Sequence, residues 1–277
     1  MTARQAWLFS KARLEKAGFA ASQAEAEARQ LLGWLVGGGA GLWRNLEAEL
    51  SDEQLRRLED ALRRRAGGEP LQMIIGSAVF YGLELAVRPG VLVPRPETEL
   101  LVELALKLLA DLASPRVLDV GSGSGAIALA IKHQRPDATV YATDVSGDAV
   151  RLTRENARRL GLELTVLQAG LTGGLSDLDL IVANPPYLPA ADAASAPPEL
   201  AWEKPGALYA GADGLAVALP LIEEAARALA PGGRLALELD PRNVTTAAAR
   251  ARQLGFVETA IHPDLSGRLR YLTARRG

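Results

Sequence analysis

From residue 116 onward, short apolar runs alternate with longer amphipathic stretches, and nothing else in the chain restricts its fold as much. Strands are expected at 116–120, 139–143, 164–169, 178–183, 234–239, 256–261 and 269–274. Helices are expected at 125–134, 148–160, 214–230 and 244–253, with Gly161 and the run Pro231-Gly232-Gly233 as stops. Alternation of this kind predicts an α/β fold, a parallel sheet covered by helices on both faces. Ligands of such sheets bind at the carboxyl ends of the strands. The residues just after each strand therefore carry the functional reading.

Two of those strand ends stand out. The first strand runs into Gly121-Ser122-Gly123-Ser124-Gly125. Glycines there let the backbone turn tightly and approach a ligand, and the following helix offers free N–H groups. The spacing is G-x-G-x-G rather than the dinucleotide G-x-G-x-x-G, which argues against a pyrophosphate. Asp144, at the tip of the second strand, offers two carboxylate oxygens to a ribose or else caps the next helix. Asp119 is placed to hydrogen-bond the glycine loop. The fourth apolar run ends in Asn184-Pro185-Pro186-Tyr187. Two prolines stop a strand, since they lack N–H donors and fix φ. Asn184 and nearby carbonyls on that stiff turn can accept hydrogen bonds from a planar –NH2 group.

Residues 1–66 read as helices only. Apolar residues recur at helical spacing in Ala6, Trp7, Leu8, Leu14 and Ala17 before Gly18. Ser22 with Glu25 and Ser51 with Gln54 predict capping boxes, and Gly37, Gly38, Gly39 and Gly41 break the second helix. Arg56, Arg57, Arg63, Arg64 and Arg65 lie off the apolar face of the third helix, as a solvated surface or as a docking face for an acidic partner. Residues 71–93 change period and predict a linker with a β-hairpin. A helix follows at 100–113, with Glu97 and Glu99 at its start or at a pocket entrance. The organisation expected is a helical domain at 1–70, a linker at 71–93 and an α/β domain at 94–277. Residues 188–213 have no period and are expected to form a substrate loop.

Composition removes several classes. A net charge of −2 gives no basic field for nucleic acid, and 5% aromatics leave few residues for a base-stacking platform. Cysteine is absent, so disulfides and thiolate metal sites are excluded. His133 and His262 are far apart, each ending an element on the surface, so no metal site is expected. No basic-then-apolar leader and no run of membrane-spanning length is seen. A cytoplasmic protein is expected.

These stretches resemble the release-factor glutamine methyltransferases, the PrmC or HemK family. The resemblance runs through 70–76, the 90–99 run Gly-Val-Leu-Val-Pro-Arg-Pro-Glu-Thr-Glu (Glu97 standing where Asp is usual), the loop at 119–130, Asn184 to Tyr187, Asp213-Gly214-Leu215 and Pro231-Gly232-Gly233. It implies a seven-stranded, Rossmann-like class I methyltransferase domain preceded by a small helical domain that helps hold a release factor. It also implies S-adenosyl-L-methionine as cofactor, held by Gly121 to Gly125, Asp144, Leu171 and Asn184. The substrate is then the Gln of the Gly-Gly-Gln motif of peptide chain release factors, with Asn184, Pro185, Pro186 and Tyr187 at the reacting amide. The Asn184 side-chain oxygen and the Pro185 carbonyl would accept the amide hydrogens, and Tyr187 would pack on the amide plane. The chain departs from the pattern at 169–172, which lacks an Asp and an aromatic, and at 238–242, which replaces Glu-x-Gly. Partners expected are release factors, without direct nucleic-acid or membrane binding, for a monomeric protein. The competing readings are methylation of an exocyclic amine in DNA adenine or RNA guanine, and a scaffold without catalysis.

Overall fold

The computed structural model describes residues 1–37 and 46–277. Two compact units emerge, one of residues 1–77 with 198–202 and one of residues 78–197 with 203–277.

The first unit contains α1 (Ala3–Lys16), α2 (Ala21–Leu35), α3 (Asp52–Ala66) and the short α4 (Leu71–Ile75). Leu14, Leu31, Leu32, Leu58 and Leu62 meet in its core. Ser51 and Gln54 form the expected capping box of α3, satisfying N–H groups that a helix start leaves without partners. The box expected at Ser22 does not form. Helix α2 begins at Ala21 behind Ala20, with no side-chain cap, and Glu25 instead pairs with Lys11 and Arg29. Helix α4 occupies the stretch expected to be linker; five residues are too few to display a period. Of the glycines expected to break α2, Gly38, Gly39 and Gly41 lie outside the described residues.

The α3 arginines are not one solvated face. Arg63 pairs with Asp60, Arg64 with Glu69, and Arg57 stacks over Trp34. Arg65 corrects the expectation outright: its side chain is only 3% exposed. It donates to Glu27 at 2.6 and 2.9 Å, to Glu199 at 2.6 Å and to the Glu69 carbonyl at 3.2 Å. Removing one member of a buried pair strands the other charge. Arg65→Met is therefore expected to destabilise the protein by about 3 kcal/mol. Denaturant unfolding would show it, and a loss under ~0.5 kcal/mol, the scale of a surface change, would contradict the burial argument.

The second unit, which begins one residue into β1 (Ser77–Phe80), holds its hairpin with β2 (Leu83–Ala86), then α5 (Thr98–Leu108), β3 (Arg116–Val120), α6 (Ala126–Gln134), β4 (Thr139–Asp144), α7 (Gly147–Leu160), β5 (Thr165–Gln168) and β6 (Leu178–Ala183). After three 3-10 turns come α8 (Ala218–Ala228), β7 (Leu229–Glu238), α9 (Val244–Gln253), β8 (Phe256–Pro263) and β9 (Leu269–Arg276). Helix α5 stops five residues short of its expected end at Ala113. The carbonyls of Leu108, Leu109 and Leu112 are taken by the guanidinium groups of Arg234 and Arg135, so the chain can leave the helix without losing those bonds.

Seven strands form one sheet in the order β5-β4-β3-β6-β7-β9-β8. The first five are mutually parallel, whereas β9 is antiparallel to both neighbours. The all-parallel expectation fails there because the turn between β8 and β9 is too short for a crossover. Pro231-Gly232-Gly233 does not simply end α8. It lies inside β7, where the register against β6 shifts between Leu178 and Leu180. Helical cores pack on the sheet in two clusters, one with Leu101, Leu129 and Val140, the other with Leu221, Leu237 and Ala248. His262 is half-buried, not a surface residue, with Nε2 2.7 Å from Thr273 Oγ1. Burial, with nearby Lys107, holds its pKa below the usual histidine value. The strand order reverses between β3 and β6, and the carboxyl ends of these strands carry Gly121 and Asn184.

Candidate active site

The glycine loop is held by the sheet itself. Gly121 and Ser122 donate to the Thr143 carbonyl at 2.8 and 3.0 Å, and Gly125 N–H closes on the Ser122 carbonyl at 2.7 Å. Gly125 is required by packing: at φ 85°, an added Cβ would come within 2.9 Å of Thr153 Cγ2 and 3.0 Å of Leu129 Cδ1. Gly121 differs, since a Cβ there would meet no protein atom within 4 Å.

One carboxylate, Asp144, braces the loop; Asp119, expected to bond the loop, bonds helix α6 instead. Asp144 accepts from Gly123 N–H at 2.9 Å through Oδ2 and from Ser146 N–H at 2.8 Å through Oδ1. Ser146, not Asp144, caps α7. Asp119 is buried, accepts from Ala128 N–H at 3.1 Å, and leaves Oδ1 without a partner. Burial pushes its pKa up to about 7, against the Ala128 N–H and with the help of the Asp144 charge.

A cavity of about 630 Å³ opens above the sheet's carboxyl edge. Gly121, Ser122, Gly123, Ser124, Asp144, Leu171, Asn184 and Pro186 line it. Among the expected site residues, Gly125, Pro185 and Tyr187 do not. Glu97 and Glu99 also stay out of the wall. Glu97 is the exposed N-cap of α5, and Glu99 accepts from Tyr81 N–H at 2.8 Å. Sequence reasoning missed Val145 and Thr98 as lining residues, although each adjoins a residue it had singled out. Part of the expected substrate loop reaches the cavity as Lys204 to Ala207. It is latched by Glu203, whose side chain has no exposed surface and accepts from Val93 N–H at 3.0 Å and Arg95 at 2.9 Å. Burial raises the pKa of Glu203, and Arg95 opposes the shift.

The proline turn is anchored by side chains from other elements. Asn184 Nδ2 donates to Thr98 Oγ1 at 3.0 Å. The Tyr187 hydroxyl donates to Glu238 at 3.4 Å, and Arg270 approaches the same hydroxyl at 3.5 Å. Burial first, and then the Glu238 charge, raises the pKa of Tyr187. Its carbonyl accepts from Asn243 Nδ2 at 3.1 Å. Through its hydroxyl and its carbonyl Tyr187 thus ties the proline turn to Glu238, Arg270 and Asn243. Glu238, which sequence reading noted only as a departure in pattern, is 1% exposed. Burial lifts its pKa to about 7, opposed by the Thr98 hydroxyl, Arg270 and Tyr187 and supported by Glu97.

Comparison with known proteins gives this edge of the sheet a family. The PrmC N-terminal domain family matches residues 5–76, and the Methyltransferase small domain family matches residues 96–197. A release factor glutamine methyltransferase from Deinococcus radiodurans is 48% identical over 96% of this chain and 95% of its own. The chain belongs to the release factor glutamine methyltransferase family. Another member, from Moorella thermoacetica, is 40% identical over 100% of this chain and 99% of its own. Among solved structures, a methyltransferase from Pyrococcus furiosus superimposes with a TM-score of 0.52 at 20% identity, over 82% of this chain and 100% of that one. The 16S rRNA N2 methyltransferase of T. thermophilus, solved with AdoMet and guanosine, gives 0.54 at 20% identity over 73% of this chain and 50% of that one. These last two likenesses are of fold. The seven-stranded unit has the class I methyltransferase fold, and membership in the family makes the protein an enzyme of methyl transfer.

Proposed function

We propose that the enzyme transfers a methyl group from S-adenosyl-L-methionine to the side-chain amide nitrogen (N5) of the Gln in the Gly-Gly-Gln motif of peptide chain release factors, in the cytoplasm. The observation that carries the reading is Asn184, a cavity-lining carboxamide whose nitrogen is already committed to Thr98. Its oxygen is left to accept from a substrate –NH2.

The cavity suits the cofactor. Gly121 leaves open space where a side chain would stand, so main chain can approach a ligand closely. Asp144 offers carboxylate oxygens with remaining acceptor capacity, and Val145 and Leu171 supply apolar walls. Gly121, Ser122, Gly123, Ser124, Asp144 and Leu171 are the residues assigned to hold it, with Gly125 shaping the loop. When bound, S-adenosyl-L-methionine supplies a methyl group activated by its sulfonium charge.

An amide nitrogen is a poor nucleophile, because its lone pair is delocalised into the carbonyl. Positioning supplies much of the rate in such a case. Asn184 Oδ1 accepts one amide hydrogen and the Pro185 carbonyl is assigned the other, which fixes the donor plane and favours the positive charge developing on nitrogen. Pro186 and Tyr187 keep the turn in place, Tyr187 through Glu238, Arg270 and Asn243.

Asp144→Ala removes a charged acceptor worth about 1.5–3 kcal/mol. The Kd for S-adenosyl-L-methionine is accordingly expected to rise roughly 10- to 100-fold by calorimetry; an unchanged Kd would remove Asp144 from the cofactor site. The substrate assignment is tested by offering methyl-labelled cofactor with equal amounts of release factor, ribosomal RNA and DNA. Label in the protein fraction supports it. Label in nucleic acid would replace it with the exocyclic-amine reading.

A further inference from the structure

Helix α7 carries two polar residues where its amphipathic pattern calls for apolar ones. Ala149, Leu152, Thr153 and Asn156 stand at the i, i+3, i+4 and i+7 spacing of one helix face, and all four are buried. Thr153 and Asn156 have no exposed surface at all. Both are weak helix formers, and a buried polar group is costly unless it is paired. Each is paired with a part of the chain that forms the cavity. Thr153 Oγ1 donates to the Gly123 carbonyl at 3.0 Å and lies 3.2 Å from Ser122 Oγ. A carbonyl can only accept, so the one Thr153 proton is committed to Gly123, and the Ser122 hydroxyl is the donor of the second bond. Asn156 Nδ2, one turn further along, donates to the Ser124 carbonyl at 2.9 Å. Together with the Gly125 N–H on the Ser122 carbonyl, these bonds give each carbonyl from Ser122 to Ser124 a donor.

The same helix face holds a second part of the cavity wall. Asn156 Oδ1 accepts from Ala86 N–H at 2.7 Å, and its Nδ2 donates to the Ala86 carbonyl at 3.1 Å. The end of β2 is thus pinned through both main-chain groups of one residue. Ala86 and Val91 form a small buried cluster with Ala149 and Leu152. The chain beyond Ala86 supplies Gly90, Val91, Leu92, Pro94 and Arg95 to the cavity. We infer that Thr153 and Asn156 are positioning residues for the cofactor, holding the glycine loop and the run that follows β2 in binding shape before the ligand arrives. Neither residue lines the cavity, so each acts through the main chain, and Thr153 through Ser122 as well, rather than by touching the cofactor. A site shaped in advance binds more tightly, because the apparent Kd rises as the competent fraction falls. The β1–β2 hairpin, which the methyl-transfer reading had left without a use, becomes one of the two elements that the Asn156 clamp joins. The inference rests on the assignment of S-adenosyl-L-methionine to this cavity.

The test compares Thr153→Val, Thr153→Ser and Asn156→Ala with the unmodified enzyme. S-adenosyl-L-homocysteine is the ligand in calorimetry, and release factor is the substrate in steady-state rates. Valine keeps the shape of threonine and removes the hydroxyl. Two hydrogen bonds to the loop are lost, and the Kd is expected to rise about 5- to 30-fold. Asn156→Ala releases both parts of the wall and is expected to raise the Kd by about tenfold or more. In Thr153→Val the KM for S-adenosyl-L-methionine should rise in step, with kcat at saturating cofactor within about twofold. Serine restores the hydroxyl and is expected to bring the Kd back to within about threefold of its original value. A purely structural role would lower Tm and leave the Kd of the folded protein unchanged. An unchanged Kd in Thr153→Val or in Asn156→Ala overturns the inference, and so does Thr153→Ser binding as weakly as Thr153→Val. If Thr153→Val does not fold, Thr153→Ala is set against Thr153→Ser with the same outcomes; if Asn156→Ala does not fold, the Thr153 variants decide. An unmodified enzyme that binds no S-adenosyl-L-homocysteine overturns the cofactor assignment itself, a result distinct from these.

Discussion

Asn184→Ala is expected to lower kcat for methyl transfer by about 100- to 1,000-fold, the range seen when one preorganised hydrogen-bonding group is removed from a reacting centre. The Kd for S-adenosyl-L-methionine is expected to stay within a few-fold. Asn184 lines the cavity, yet the glycine loop and Asp144 stand on other strands and keep their own bonds to Thr143, Gly123 and Ser146. The loss therefore falls on the step that needs the substrate nitrogen held in line, rather than on binding. Steady-state rates with release factor, set beside calorimetric cofactor binding, separate the two. Near-normal turnover in this variant would remove Asn184 from the chemistry.

Gly214→Ala is expected to be nearly as damaging to activity, although residue 214 is not in the cavity wall. Gly214 has a φ of 79°, and a Cβ there would collide with the Tyr187 carbonyl oxygen and stand 2.6 Å from Asn243 Nδ2. Those two atoms are partners in the hydrogen bond that ties down the proline turn. The methyl group thus enters the bond itself. The left-handed backbone costs roughly 1–2 kcal/mol for a residue with a side chain, and the lost hydrogen bond about 1 kcal/mol more. Tm is expected to fall by several degrees. Displacing Asn184 by as little as ~1 Å is enough to cut kcat about 100-fold. Gly232→Ala is the control: Gly232 has a similar φ of 77° but open space around it. That variant is expected to show the backbone cost and an unaltered kcat. Equal kcat in the two variants would mean that Gly214 does not hold the turn.

Much of this architecture is written in local patterns. The seven strands are legible because each is a short apolar run closed by glycine, proline or a polar turn. Asn184 and the glycine loop could be placed at strand ends for the same reason. The structure brings Gly121 to Ser124, Asp144, Leu171, Asn184 and Pro186 to one cavity.

What escaped local reading depends on contacts between distant positions. Arg65 looked like one of several surface arginines because its partners, Glu27 and Glu199, lie 38 and 134 residues away. Thr98 looked like a helix start; only the fold brings its hydroxyl to Asn184, 86 residues away. Tyr187 was read by proximity to Asn184, and its hydroxyl contacts with Glu238 and Arg270, 51 and 83 residues away, were not visible locally. The antiparallel β9 could have been anticipated, since the turn that links it to β8 is centred on Asp264, Ser266 and Gly267 and leaves no room for a crossover.

The most direct test of the central claim is the intact mass of a purified release factor after incubation with the enzyme and S-adenosyl-L-methionine, followed by fragmentation across its Gly-Gly-Gln segment. One added methyl group, located on the side chain of that Gln and absent when Asn184→Ala replaces the enzyme, is the expected result. An unmodified release factor, with labelled methyl recovered in nucleic acid, would contradict it.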